Sequence, residues 1–275
     1  MPNDFNHATS INFVHGNGFP SGSYQTLFSY LPESMNVFAI DKYGHDHNFP
    51  VNHNWQAQVD ELIKFVKLNQ KINEKGEPEK VICLGHSFGG VISFIACCQQ
   101  PSLFKGLIML DPPVLTGIAA SVIKLIKKTP LIDRFSPAGK TKIRRKHWPL
   151  GTDVAQYFSS RTLFKYFDQR CLNDYVNHGV MEKNDRLELR FDVKIEAEVF
   201  RNLASNLSSY KNKLTIPAAL VYGKSTKVFP HRYFRSFARL NKNIKLQSVP
   251  GGHMFPLENP EETAKLIADI IKRFD

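Results

Sequence analysis

Residues able to carry out acyl transfer stand directly behind apolar runs in this chain. Ser87 lies in Gly85-His86-Ser87-Phe88-Gly89-Gly90, immediately after Val81-Ile82-Cys83-Leu84. Asp111 follows Leu107-Ile108-Met109-Leu110 and precedes two prolines. His253 sits in Pro250-Gly251-Gly252-His253-Met254-Phe255-Pro256, behind the run 244–249. A fourth turn, His15-Gly16-Asn17-Gly18-Phe19-Pro20, follows Ile11-Asn12-Phe13-Val14 and is glycine-rich enough to offer backbone N–H groups to a developing oxyanion. A serine hydroxyl becomes a nucleophile when a base takes its proton, and the base works best when an acid orients it. Gly-x-Ser-x-Gly between a strand and a helix is the turn that exposes such a serine. On its own that pattern also fits an idle glycine-rich turn; the histidine and the acid give it weight.

The elements that must hold these residues follow from periodicity. Short apolar runs at 11–14, 37–40, 81–84, 107–110, 218–222 and 244–249 read as strands, and most lack the alternation of a half-exposed strand. Between them lie helical patterns. Trp55, Val59, Leu62, Ile63 and Val66 mark one helix face, with Asn54 expected to cap it. In the last helix Asn259 is expected to cap, Pro260 to take the first position, and Leu266, Ile267, Ile270, Ile271 and Phe274 to form the buried stripe. Alternating strands and helices predict an α/β fold with a mostly parallel sheet flanked by helices. In such a sheet ligands bind at the carboxyl ends of the strands, and all four chemical turns fall on that edge.

The alternation breaks between about 113 and 213, where the pattern is helical and aromatic-rich. Trp148, Tyr157, Phe158, Phe164, Tyr166 and Phe167 read there as packing residues of a cap, with none assigned to binding. The expected organisation is therefore a core of 1–112 and 214–275 with a helical cap, 113–213, inserted between its parts.

Bulk properties narrow the class. No linker, repeat or low-complexity stretch divides the 275 residues. The first ten residues lack the basic and apolar regions of a signal peptide, and no apolar run is long enough to span a bilayer. Cys83, Cys97, Cys98 and Cys171 show no Cys-x-x-Cys spacing and read as reduced packing residues of a cytoplasmic protein. Net charge is +11, and residues 121–150 carry nine Lys/Arg against the single acid Asp133. Aromatic residues are not interleaved with those bases, so nucleic acid is not expected. Weak contact with an anionic membrane surface or an anionic substrate is one reading; a solvated charged face is the plainer one. His45-Asp46-His47 invites a metal reading, but no further ligands appear at fixed spacing, and neither metal nor other cofactor is expected.

Four motifs in order, HGNGFP at 15–20, GHSFGG at 85–90, LDP at 110–112 and GGHMFPLENPEE at 251–262, make the chain resemble the capped, single-domain α/β-hydrolase fold enzymes. The likeness covers roughly 1–112 and 214–275 and is weak across the cap. It implies Ser87 as nucleophile, His253 as general base and Asp111 as orienting acid, in the chain order of that fold. It implies the N–H groups of Phe88 and of Asn17 or Gly18 as the oxyanion donors. Dehalogenases and epoxide hydrolases of the fold use an aspartate nucleophile, so serine points to acyl transfer. The cap insertion is expected after the sixth strand of the family pattern. Two departures stand out. Only ten residues precede the first strand, so the two antiparallel strands that usually open the fold are expected to be missing or reduced. The segment where the acid usually lies, Tyr222-Gly223-Lys224-Ser225-Thr226-Lys227-Val228, holds no carboxylate, which leaves Asp111 as the candidate. The expected activity is hydrolysis of small carboxylic esters, with hydrophobic or lipid-derived acyl groups. A thioesterase, lactonase, carbon–carbon hydrolase or perhydrolase, and a binding protein that turns nothing over, stay open.

Overall fold

The computed structural model describes residues 9–274. Its strands are β1 (Thr9–Val14), β2 (Met35–Ala39), β3 (Val81–His86), β4 (Phe104–Leu110), β5 (His147–Pro149), β6 (Val180–Lys183), β7 (Arg186–Leu189), β8 (Ala218–Gly223) and β9 (Ile244–Val249). Six of them form one sheet in the order β2-β1-β3-β4-β8-β9, parallel throughout. These are the six runs read from the sequence. The expectation about opening strands falls on residues 1–8, outside the described residues.

Burial on both faces explains the continuous apolar runs. Along β3, Val81 and Cys83 join one core with the helices Gln56–Asn69, Phe88–Gln99 and His231–Leu240, through residues such as Leu62, Phe94 and Phe234. Ile82 and Leu84 join the opposite core with the helices Gln25–Ser29 and Pro260–Lys272, through Leu27, Ile267 and Ile271. Successive side chains point to opposite sides of the sheet, so a strand covered on both faces has no polar position to alternate with.

Two helix starts differ from expectation. Asn54 and Trp55 adopt left-handed φ of 57° and 64°, and it is Asn52 Oδ1 that accepts from the Ala57 N–H at 2.8 Å. Asn54 instead accepts from Lys127 Nζ and the Ser205 N–H. Asn259 stands at the cap position before Pro260 but makes no side-chain capping bond.

Between β4 and β8 the chain forms mostly short helices, and alongside them a small antiparallel sheet in the order β5-β7-β6. Trp148, Phe158, Phe164 and Tyr175 pack together here and against the Phe19 turn after β1. Tyr166 faces solvent. Among the described residues no helix is long and apolar enough to cross a membrane.

The strand order reverses at β1: β2 lies on one side of it and β3 on the other. Turns leaving adjacent strands in opposite directions open a crevice at their carboxyl ends. The turn at 15–20 and Ser87 occupy that crevice.

Candidate active site

Ser87 is held at φ 54°, ψ −122° between β3 and the helix Phe88–Gln99. A non-glycine residue pays for that conformation unless its surroundings impose it. Here the Ser87 N–H donates to the Leu110 carbonyl at 2.8 Å, tying the turn to the end of β4. The helix then passes so close to β1 that a Cβ on Gly89 would lie 2.1 Å from the Val14 carbonyl oxygen. Glycine at 89 is a packing requirement of the turn.

Asp111 is also left-handed, φ 45°, and fully buried at the end of β4, with its N–H donating to the Val221 carbonyl at 2.7 Å. The turn points its carboxylate across β8 toward the loop after β9. His253 Nδ1 lies 2.7 Å from Asp111 Oδ2, and His253 Nε2 lies 3.0 Å from Ser87 Oγ. A carboxylate only accepts, so Nδ1 carries the proton and Nε2 is free to accept from the serine hydroxyl. Asp111 takes two more hydrogen bonds: Gly223 N–H to Oδ1 at 3.0 Å and Thr226 Oγ1–H to Oδ2 at 2.7 Å. Thr226 thus serves the acid and not the histidine.

A second hydrogen-bonded chain lies beneath. The Gly16 N–H donates to Tyr24 Oη at 3.2 Å, Tyr24 Oη lies 2.7 Å from His86 Nδ1, and His86 Nε2 lies 3.0 Å from the His253 carbonyl. That carbonyl only accepts, so His86 donates from Nε2 and receives the tyrosine proton at Nδ1. Burial, with His253 nearby, lowers the His86 pKa to about 3. His15 behaves alike: Nε2 accepts from the Tyr43 N–H at 2.9 Å, Nδ1 faces the Gly16 carbonyl at 2.8 Å, and burial lowers its pKa to about 4. Two neutral imidazoles therefore brace the turn at 15–20 and the His253 loop. Their signal in the sequence was a histidine beside the nucleophile and another opening the glycine-rich turn; their partners Tyr24 and Tyr43 had none.

Gly16, Asn17, Ser87, Phe88 and His253 all line one cavity of about 700 Å³. Gly18 does not: it sits at φ 81° against the Glu196 carboxylate, where a Cβ would meet Oε1 at 2.8 Å. Asn17, which does line the cavity, has its side chain engaged elsewhere: Nδ2 donates to the Glu196 carbonyl at 2.9 Å. Glu196 is paired with Arg144 Nη1 at 2.9 Å, and Arg144 Nη2 reaches Tyr175 Oη at 3.3 Å. Burial pushes the Glu196 carboxyl up, and the Arg144 guanidinium pulls it back. No sequence signal marked this cluster, which joins the turn after the helix Ala138–Thr141 to the helices Gln169–Gly179 and Val193–Arg201.

The rest of the cavity wall is mainly apolar. Trp55, Phe88 and Met254 come from the elements around the main sheet, and Leu115, Ile123, Phe135, Leu163, Phe164 and Leu203 from the segment between β4 and β8. Phe164, expected from the sequence only as a packing residue, is packed and also lines the cavity. Lys140 and Lys227 add charge to the wall. Of the His45-Asp46-His47 stretch, His45 Nε2 accepts from the Asp192 N–H and His47 is exposed. Among the described residues no group of three His, Cys, Asp or Glu is placed to hold a metal ion.

A family model described as "Alpha/beta hydrolase family" matches residues 13–266. The monoglyceride lipase of Rattus norvegicus is 36% identical over 118 residues, which is 41% of this chain and 38% of that enzyme. The chain thus matches well under half the length of that curated relative. Among solved structures, the peroxisomal alpha-beta-hydrolase Lpx1 of Saccharomyces cerevisiae superposes with a TM-score of 0.77 at 18% identity, covering 98% of this chain and 77% of that one. A thioesterase domain from the curacin biosynthetic pathway gives 0.71 at 15% identity, covering 96% and 92%. At those identities the likeness concerns the fold.

Proposed function

The chain belongs to the α/β-hydrolase family, and from that premise we propose that it is a serine hydrolase cleaving carboxylic esters through an acyl-enzyme on Ser87. The observation that carries the reading is the continuous hydrogen-bonded line from Ser87 Oγ through His253 to Asp111, opening on an apolar cavity. In the first step Ser87 Oγ attacks the ester carbonyl while His253 Nε2 takes its proton. The carbonyl oxygen becomes an oxyanion held by the N–H groups of Phe88 and Asn17; each such donor is worth about 3 kcal/mol in the transition state. Asn17 is preferred to Gly18 because it is Asn17 that faces the cavity. Collapse of the adduct breaks the C–O bond, and His253 returns its proton to the leaving alkoxide. Water then attacks the acyl-enzyme by the same two steps. Asp111 fixes the His253 tautomer throughout and stabilises the imidazolium.

The apolar wall supports hydrophobic acyl groups, and the partial match to a monoglyceride lipase supports a lipid-derived ester. Residues 113–213 act in this reading as a cap that closes the cavity from above. The four cysteines, all free thiols, support a reducing compartment, the cytoplasm.

Treatment with a fluorophosphonate and intact-mass measurement should add one adduct at Ser87. Ser87→Ala should abolish it and lower p-nitrophenyl ester turnover on the order of a millionfold. An intact protein that takes up no adduct, or an alanine variant within tenfold of the parent, would sink the reading in favour of a ligand-binding protein. A panel of acyl esters of rising chain length on the same sample reads out the substrate class.

A further inference from the structure

The helix Gly117–Ile126 carries apolar residues on both of its sides. Its inner side is anchored: Ala120 is buried, Ile123 lines the cavity, and Lys127 at its end donates to Asn54 Oδ1 and the Leu203 carbonyl. Its outer side repeats Ile118, Val122 and Leu125 at helical spacing, and these are 84%, 48% and 74% exposed. The chain continues with Leu131, Phe135 and Ile143, which are 50%, 67% and 79% exposed. Single exposed apolar residues are ordinary, but a run of six large ones in one short stretch marks a surface that something covers. Phe135 also lines the cavity, so the patch reaches its wall.

Charge says what covers it. Lys124, Lys128, Arg134, Lys142, Arg145 and Lys146 stand exposed among these apolar residues. The only acid of the stretch, Asp133, is already neutralised by Lys142 and Arg201. A second copy of the same surface would bring like charges together. A nucleic acid would satisfy the charge but leave Ile118, Leu125 and Ile143 in water. Apolar side chains ringed by lysine and arginine match the boundary between acyl chains and phosphate headgroups.

We propose that this face, residues 118–146, docks on an anionic lipid surface. Ile118, Val122 and Leu125 enter the headgroup–acyl boundary, the cations meet the phosphates, and the cavity wall at Phe135 is brought against the membrane. An apolar ester then passes from bilayer to Ser87 with little exposure to water.

The test is co-sedimentation of the full chain with vesicles of phosphatidylcholine alone or with about 30% phosphatidylserine. Binding is expected to the anionic vesicles and not to the neutral ones, weakening at least about tenfold as salt is raised from low to several times physiological. Ile118→Ser/Leu125→Ser and Lys124→Glu/Lys128→Glu should each weaken it by about tenfold or more, with p-nitrophenyl acetate turnover unchanged. None of these four side chains touches the reacting groups, and turnover reports folding. Ser87→Ala should bind as the parent does, so failure of the hydrolase reading and failure of this one are read separately. Absence of binding at low salt, or binding that survives both double variants, overturns the proposal. So does a concentration-dependent dimer that Ile118→Ser/Leu125→Ser dissociates while vesicles are ignored, or an RNA affinity that the apolar variant leaves intact.

Discussion

At the floor of the cavity Ser87 lines the wall and Asp111 lies fully buried behind it; the two end adjacent strands in left-handed backbone conformations that main-chain hydrogen bonds to the next strand enforce. The segment between β4 and β8, its roof in the proposed reading, is held together by side-chain contacts, among them Arg144–Glu196 and Arg201–Asp133. The floor is specified by backbone geometry, which a few glycines and a strand pattern determine locally. The roof is specified by which side chains meet across long stretches of sequence. Changes to the floor should therefore be felt in chemistry, and changes to the roof in stability.

The largest effect expected at the floor, short of removing the nucleophile, comes from Asp111→Asn. An amide at 111 donates where a carboxylate accepted, so His253 loses its working tautomer and its imidazolium partner. Ester turnover should fall about ten-thousandfold with the unfolding midpoint little changed. Thr226→Ala keeps the carboxylate and removes one of its donors, so turnover should stay within about tenfold. The reverse ranking in steady-state kinetics would move the orienting role from Asp111 to the loop after β8.

Arg144→Met sharpens the other half of the comparison. It leaves the Glu196 carboxylate buried without its partner, and breaking a buried pair from one side costs roughly 3–5 kcal/mol. Urea titration should show that loss, while fluorophosphonate labelling of Ser87 stays within about tenfold of the parent. Arg144→Met/Glu196→Leu should recover most of the stability, because two well-packed apolar residues replace a desolvated pair. A collapse of labelling in the single variant with unchanged stability would make the roof part of the chemistry.

The smallest effect is a slope in pH. His86 and His15 stay neutral when folded, with pKa about 3 and about 4, against an ordinary value of 6.5. As pH falls below 6.5 the unfolded chain binds two protons that the folded one refuses, so these groups lower stability on acidification. Glu61 acts the other way. Burial raises its carboxyl to about 7 from an ordinary 4.5, so the folded state holds a proton that the unfolded state has lost. Between about pH 4.5 and 6.5 the three groups leave a net slope of about one proton, stability rising with pH. His86→Gln removes one histidine, and the slope in thermal or urea unfolding should drop by about that one proton. An unchanged slope would mean that His86 ionises freely in the folded protein.

The same division explains what could be read in advance. The six strands of the main sheet were legible as short apolar runs, unbroken where burial on both faces leaves no polar position, as in β3, and mixed at the edge in β9. The meeting of Ser87, Asp111 and His253 on one sheet edge was legible because each lies in the turn that follows one of these runs. The segment 222–228, which holds no carboxylate, instead supplies Thr226 as a hydrogen-bond donor to Asp111 Oδ2, a partnership that no spacing in the sequence announces. The Arg144–Glu196–Tyr175 cluster left no trace, since its members lie in a turn and two separate helices and each alone looks like a surface or packing residue. The small sheet β5-β7-β6 was hidden for a related reason. Its strands are three or four residues long, too short for a period of two to stand out from helical spacing. Asn54 shows the limit at a single residue: its cap-like identity was right for an acceptor, but its partners are Lys127 and Ser205 from far along the chain.

The pairing of β4 with β8 bears on how the molecule comes into being. Leu107 and Ala218 lie side by side in the sheet yet are roughly a hundred residues apart along the chain, and non-local parallel pairings of that kind form slowly. During synthesis β1 to β4 can assemble first, but their growing edge stays unpaired until the whole intervening segment has been made. Ser87 would stand on a formed turn for many seconds before His253 exists. The nascent chain then holds Ser87 without the histidine that pairs with it, while its open β4 edge is exposed to other strands, the kind of edge at which chains aggregate.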